Sequence, residues 1–150
     1  MGNIISTSDI NEARKQIQKL KNEKKPVVVL AKDQEFNRKV LEIKDTDILL
    51  SPELHNRKDH LKERDSGLNE ILCRIAKKNN IKIAINLEEI KKAKDKERAI
   101  LLSRIIQNIM LCKKTKAEII LLGEYDKKDA FSFLISLGAS TSQAKKAIQD

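Results

Sequence analysis

Apolar positions along this chain switch between two rhythms. Short runs of Val, Ile and Leu alternate with longer stretches in which apolar residues return at every third or fourth place. Residues 3–6 are a short β-rich segment. Ser8 or Asp9 can then cap a helix with Glu12 in its first turn, and Ile10, Ala13, Ile17 and Leu20 share one face of it. Pro26 opens a second strand at 27–31. A helix is predicted over 34–43, carrying Phe36, Val40, Leu41 and Ile43, and a third strand over 47–50, ended by Ser51-Pro52. Residues 53–65 are polar and loop-like. Ser66 is expected to cap the next helix, whose stripe is Leu68, Ile71, Leu72, Ile75 and Ala76 and which Asn79-Asn80 close. A fourth strand over 81–87 alternates Ile81, Ile83, Ile85 and Leu87. A long helix follows over 95–114, then a fifth strand over 118–122 halted at Gly123. Two helices finish the pattern: one over 130–137, broken by Gly138, and one capped by Thr141 or Ser142 and running to Ile148.

Strand–helix–strand alternation implies parallel strands joined by right-handed crossovers, and near-continuous Val/Ile/Leu runs are what buried parallel strands carry. The fold class is therefore α/β. Alternation alone leaves open whether the sheet stays open or curls into a barrel. A length of 150 residues suits a single domain. No segment approaches the roughly 18 unbroken apolar residues of a membrane helix, and no basic-plus-apolar leader stands at the start, so a cytoplasmic location is expected.

Charge narrows the choice of partner. Lys and Arg number 31 against 22 acidic residues, a net charge of +9. Such a surface attracts polyanions, nucleic acid foremost, although a lysine-rich solvated surface would read the same. Lysine meets phosphate as a point charge and is a poor reader of base edges. The four aromatic residues, Phe36, Tyr125, Phe131 and Phe133, lie outside the five strands, so base stacking on the sheet is not expected and RNA contact would be to phosphate and shape. Basic groups at Arg57-Lys58, Arg64, Lys77-Lys78, Lys91-Lys92-Lys94, Lys113-Lys114-Lys116 and Lys127-Lys128 fall near strand–helix junctions, where they could gather at one rim.

Other chemistry is thinly supplied. The two histidines, His55 and His60, stand in the polar loop with Glu53, Asp59, Glu63 and Asp65. A divalent-metal site there would suit a small phosphoesterase-like enzyme, against the plainer reading of solvated loop residues. No Gly-x-Ser-x-Gly elbow and no glycine-rich phosphate cradle is present. Ser66-Gly67, opening a helix directly after Arg64, could offer free amides to a phosphate, or could be an ordinary cap with Arg64 paired to Asp65 or Glu63. Cys73 and Cys112 sit in apolar-periodic runs and read as buried thiols.

One stretch carries more. Asp47-Ile48-Leu49-Leu50-Ser51-Pro52, then Arg64-Asp65-Ser66-Gly67-Leu68-Asn69-Glu70-Ile71-Leu72, then Ala76-Lys77-Lys78-Asn79, resembles archaeal ribonuclease P protein component 3. So do Arg98-Ala99-Ile100-Leu101-Leu102, and Leu134-Ile135-Ser136-Leu137-Gly138 followed by Gln143-Ala144-Lys145-Lys146-Ala147. Asp33 with Arg38 matches a helix whose arginine recurs in that family. The resemblance runs from about residue 26 to the end, and more weakly before it. It implies a barrel-like α/β fold related to triosephosphate isomerase barrels and to metal-dependent phosphoesterases, here incomplete with about five strands. It implies a noncatalytic subunit, with no cofactor on the protein and magnesium on the catalytic RNA. Its partners would be ribonuclease P RNA, protein component 2 and, through the holoenzyme, precursor tRNA, whose 5′ leader is removed. By matching position, Arg38, Arg64, Lys114, Lys128 and Lys145 would contact RNA or partner, and the loop's own pattern adds Arg57 and Lys58. Three departures stand out. Glu70 takes a place the family usually gives to His. The loop 53–63 is longer than usual. The family's first two strand–helix units have no counterpart, which predicts an exposed sheet edge at 3–6.

Overall fold

The computed structural model describes residues 3–59 and 64–148. His60 and Glu63 lie outside the described residues. The elements follow the predicted alternation: β1 (Ile4–Ile5), α1 (Ile10–Asn22), β2 (Val28–Leu30), α2 (Gln34–Leu41), β3 (Ile48–Leu50), α3 (Glu70–Lys78), β4 (Lys82–Asn86), α4 (Leu87–Lys92), α5 (Asp95–Thr115), β5 (Ile119–Leu122), α6 (Lys127–Ser136) and α7 (Thr141–Ala147).

Capping chemistry decides most of the boundaries the periodicity misplaced. Asp9 caps α1 by accepting from the Asn11 amide, as expected. The helix expected from Ser66 begins at Glu70, because the Asn69 side chain takes the Leu72 amide. Asn86 likewise caps α4, a helix that periodicity missed: it starts at Leu87, where the alternating run was expected to continue as strand. Asp126 starts α6 three residues earlier than its apolar stripe indicates, and Ser140 caps α7 through a reciprocal pair with Gln143.

All five strands are parallel, in the order β1-β2-β3-β4-β5. Each strand pairs with the next in sequence, so the sheet advances one way without the reversal of a doubly wound fold. Its two faces differ. Ile5, Val29, Leu49, Ile83, Ile85, Ile119 and Leu121 point into one large core shared with the helices. Val28, Leu50 and Ala84 point the other way and pack only with strand residues Leu30, Ile48, Ile120 and Leu122. Among the described residues, no helix packs on that second face. Sequential parallel strands with helices on one face are an arc of a triosephosphate-isomerase-type barrel, five strands of the usual eight. β1 stands at one edge of the arc, with Ile4 44% exposed. α7 packs beside β5 at the other edge.

Cys73 on α3 and Cys112 on α5 are buried free thiols, and their interaction holds the Cys73 thiol below its ordinary range and pushes Cys112 up. Glycine is required at one turn. Gly67 has φ +85°, and a Cβ there would lie 2.0 Å from the Pro52 carbonyl oxygen. Gly138, with φ +100°, has nothing within 4 Å. Gly67→Ala is therefore expected to cost both left-handed strain and a backbone clash, about 2 kcal/mol or more, whereas Gly138→Ala costs about 1 kcal/mol. Urea unfolding of the two variants checks this; equal losses would refute the clash.

Candidate functional site

The longest loop follows β3 at the carboxyl end of the sheet, the end where barrel folds build their sites. α5 holds it in place. The buried stripe of α5 is Leu101, Arg104, Ile105, Asn108, Ile109, Cys112 and Thr115, so two polar side chains stand at core positions one turn apart. Arg104 is only 5% exposed. Its guanidinium donates to the carbonyls of Glu53 (3.3 Å), His55 (2.9 Å) and Arg57 (3.0 Å), and meets Asp59 Oδ1 at 3.3 Å. Gln107 donates to the Arg64 carbonyl and Ser66 Oγ, and Asn108 donates to the Ser66 carbonyl. Three residues within one and a half turns thus grip both limbs of the loop.

The loop also pairs with itself. Asp65 accepts from Arg57 Nε at 3.0 Å and from the Gly67 amide at 3.1 Å. Asp59 accepts the Asp65 amide at 2.8 Å. Asn37, fully buried on α2, donates to the Gly67 carbonyl. At the loop's entry Ser51 takes a left-handed φ of 54°, turning the chain sharply out of β3.

Burial and pairing set the charges. Burial pushes the Glu53 carboxyl up to about 7, against the pull of its own backbone amide and of Arg104, and its Oε1 has no hydrogen-bond partner. His55 is held below the ordinary imidazole range, first by burial and then by the Arg104 and Arg57 charges. The hydrogen bond from the Asp65 amide, aided by Arg104, keeps Asp59 below the usual carboxylate range. Burial works against ionisation of Asp65, but the bonds from Arg57 and the Gly67 amide overcome it.

These contacts bear on the open readings of the sequence as far as the described residues go; His60 and Glu63, on which the metal reading also rested, lie outside them. His55 Nε2 lies 2.6 Å from the Asp65 carbonyl and Nδ1 accepts the Arg57 amide, so both ring nitrogens are engaged with backbone. Among the described residues, no group of three or more His, Cys, Asp or Glu side chains is placed to hold a metal. The Ser66-Gly67 phosphate cradle is not formed. The helix starts later, Ser66 is buried, and the Gly67 amide is already bonded to Asp65. Arg64 pairs with Asp59 at 3.4 Å and not with Asp65.

The structure gathers Arg57, Lys58 and Arg64 on one loop. Arg57 spends its guanidinium on Asp65 and the Lys32 carbonyl, while Lys58 beside it is exposed. Lys128, in the first turn after β5, also lies at the carboxyl end. Arg38 on α2, Lys114 on α5 and Lys145 on α7 are exposed on separate helices, and Lys114 reaches Glu70 at 3.0 Å. That contact puts Glu70, the departure from the family's His, into a surface pair. Sequence reasoning missed Arg104, Gln107 and Asn108. Their one signal was polar residues in register with Leu101, Ile105 and Ile109.

A one-faced arc of parallel strands, with a long charged loop clasped at its carboxyl end, places the chain among barrel-type α/β proteins. Its sequence is 32% identical over 117 residues to ribonuclease P protein component 3 of Methanococcus vannielii, covering 78% of this chain and 48% of that protein. It is 26% identical over 124 residues to the protein of the same name from Methanocaldococcus jannaschii, covering 83% and 50%. Among solved structures, a chain from the cryo-EM structure of archaeal ribonuclease P with mature tRNA superposes with a TM-score of 0.81 at 25% identity, covering 96% of this chain and 62% of that one. No family model matches. The chain is thus similar in sequence and fold to archaeal ribonuclease P protein component 3, and it spans about half the length of the curated relatives it matches.

Two outcomes test the loop. Arg104→Ala should cost about 3 kcal/mol, because three carbonyls and a carboxylate lose their partner, and Arg104→Lys should recover little, since an ammonium cannot reproduce the planar fork. Urea unfolding together with amide exchange at 53–59 reads both; a fully rescuing lysine would refute the fork. Glu53 titrates higher folded than unfolded. Its neutral form is free of cost below about pH 4.5, stability falls as pH rises through about 7, and the full penalty stands above that. Glu53→Gln should accordingly stabilise the fold at pH 8.5, on the order of 2 kcal/mol, and hardly at pH 4. A gain of equal size at both pH values would exclude a buried neutral carboxyl.

Proposed function

We propose that this chain is a protein subunit of ribonuclease P, assisting the catalytic RNA in removing the 5′ leader from precursor tRNA. The observation that carries this reading is agreement of sequence and fold with one protein type: the component 3 relatives and the ribonuclease P structure point the same way. The internal economy of the loop supports a binding role for the protein. Arg57, Arg104, Asp59, Asp65 and His55 are occupied with one another or with backbone, an arrangement that holds a surface in shape. Bond cleavage, and the magnesium it uses, fall to the RNA. The partners are ribonuclease P RNA, protein component 2 and, within the holoenzyme, precursor tRNA. Lys58 and Arg64 on the loop, with Arg38, Lys114, Lys128 and Lys145 on the helices, are the proposed contacts to RNA or partner, and Arg57 braces the loop that presents Lys58. The location is cytoplasmic, where tRNA precursors are processed.

Reconstitution tests the reading. The purified chain, with component 2 and a transcribed archaeal ribonuclease P RNA, should raise the rate of leader removal at limiting magnesium by at least tenfold over component 2 and RNA alone. An unchanged rate across magnesium concentrations would remove the basis for it.

A further inference from the structure

The two ends of the sheet handle positive charge in opposite ways. At the carboxyl end, Arg57, Arg64 and Arg104 each have a carboxylate within 3.4 Å. At the amino ends of β4 and β5, cations outnumber acids. Two cavities of about 350 and 240 Å3 meet there, sharing Lys77 and Glu118. A third, of about 540 Å3, continues along the β5 edge through Lys82, Glu118 and Lys146. The joined groove is lined by Lys77, Lys82, Lys113, Lys116 and Lys146, with Glu118 as its single carboxylate. Glu118 reaches only Lys82, at 3.9 Å. Lys113 donates to the Gly138 carbonyl. Lys77, Lys116 and Lys146 are exposed, and among the described residues none of them comes within ion-pair distance of a carboxylate.

Lys116 adds a second observation. It caps α5 in the left-handed region at φ 68°, a position where glycine or asparagine is the unstrained choice. Helix dipoles favour cations near helix carboxyl ends, and that accounts for Lys77 and Lys113 in last turns. It covers Lys146 in the last turn of α7 as well, but it does not account for three helix ends delivering their lysines to one groove that holds a single carboxylate. No aromatic ring lines the first two cavities, so the groove suits a phosphodiester backbone better than stacked bases.

We infer that this groove at the amino ends of β4 and β5 is an RNA-backbone contact surface, with Lys77, Lys116 and Lys146 neutralising phosphates. The inference rests on the ribonuclease P reading and deepens it. It puts the main RNA contact at the end of the arc opposite the one where barrel enzymes bind their ligands.

The test measures binding of the full chain to transcribed archaeal ribonuclease P RNA across 50–300 mM KCl. One variant carries Lys77→Gln, Lys116→Gln and Lys146→Gln; a control of equal charge change carries Lys15→Gln, Lys94→Gln and Lys96→Gln, all exposed and none lining the groove. The groove variant should lose at least tenfold in affinity and flatten the log–log salt slope by about 2, and the control should stay within threefold of the parent. Each single change, Lys146→Glu first, should weaken binding in the same direction, so a triple variant that folds poorly does not remove the test. An unchanged slope, or an equal loss in the control, overturns the inference. So does a groove variant that keeps RNA binding and loses binding to purified component 2, which would make the surface a protein interface. If the groove variant loses RNA binding while the parent fails to stimulate leader removal, the groove stands and the ribonuclease P reading falls.

Discussion

A single buried guanidinium organises the carboxyl end of this molecule. Arg104 enters from α5 with its stem in the apolar stripe and its head among three loop carbonyls and one aspartate. A loop that long would otherwise trade protein contacts for water, because its carbonyls have no ladder to join. A planar donor with five N–H groups answers several carbonyls at once, which a lysine or a neutral amide cannot do. The cost of burying the cation is offset by Asp59 and by the carbonyl dipoles. The nearby Glu53 carries its full negative charge only above neutral pH, since burial pushes its carboxyl up to about 7.

From that anchor the remaining contacts follow in order. With the loop held against α5, Asp65 can face Arg57 and bend back to the Gly67 amide. Gly67 can then press against the Pro52 carbonyl, and Asn69 can start α3. The basic-Asp-small-Gly-aliphatic-Asn run is therefore a folding device: every side chain in it that bonds does so within the loop, to α5 or to its own helix. The approach of Gly67 to Pro52 is too close for any Cβ, which ties the turn to β3 and so to the sheet.

The one-faced core was half visible in the sequence. Alternating runs such as Ile81, Ile83 and Ile85 marked the strands, but a period of two cannot say whether a helix or another strand covers the second face. Val28, Leu50 and Ala84 are as apolar as the residues that face the helices. Boundaries went astray where a side-chain oxygen overrode the hydrophobic rhythm, at Asn69, Asn86 and Asp126. Among candidate residues, the loop cations were legible because they are charged and close in sequence. Arg104, Gln107 and Asn108 were not, because their partners lie about 40 to 50 residues away. Polar residues in the apolar stripe of a helix were the available clue, and a pattern search that counts only apolar residues discards it.

Pairing also separates two kinds of cation in a chain with a net charge of +9. An arginine that meets a carboxylate at about 3 Å in a partly dry loop has spent its field locally, and adds little to the long-range attraction of a polyanion. A lysine on an exposed helix end, with no acid in reach, keeps its field and gains counterion release on meeting phosphate. By that measure Arg57 and Arg104 hold the loop's shape, Lys58 and Arg64 remain exposed on it for a partner, and the lysine groove at the amino ends contributes the stronger attraction. Residue chemistry suits this division. Planar arginine forks stand where geometry must be held, and flexible lysines stand where a backbone of repeating charge must be followed.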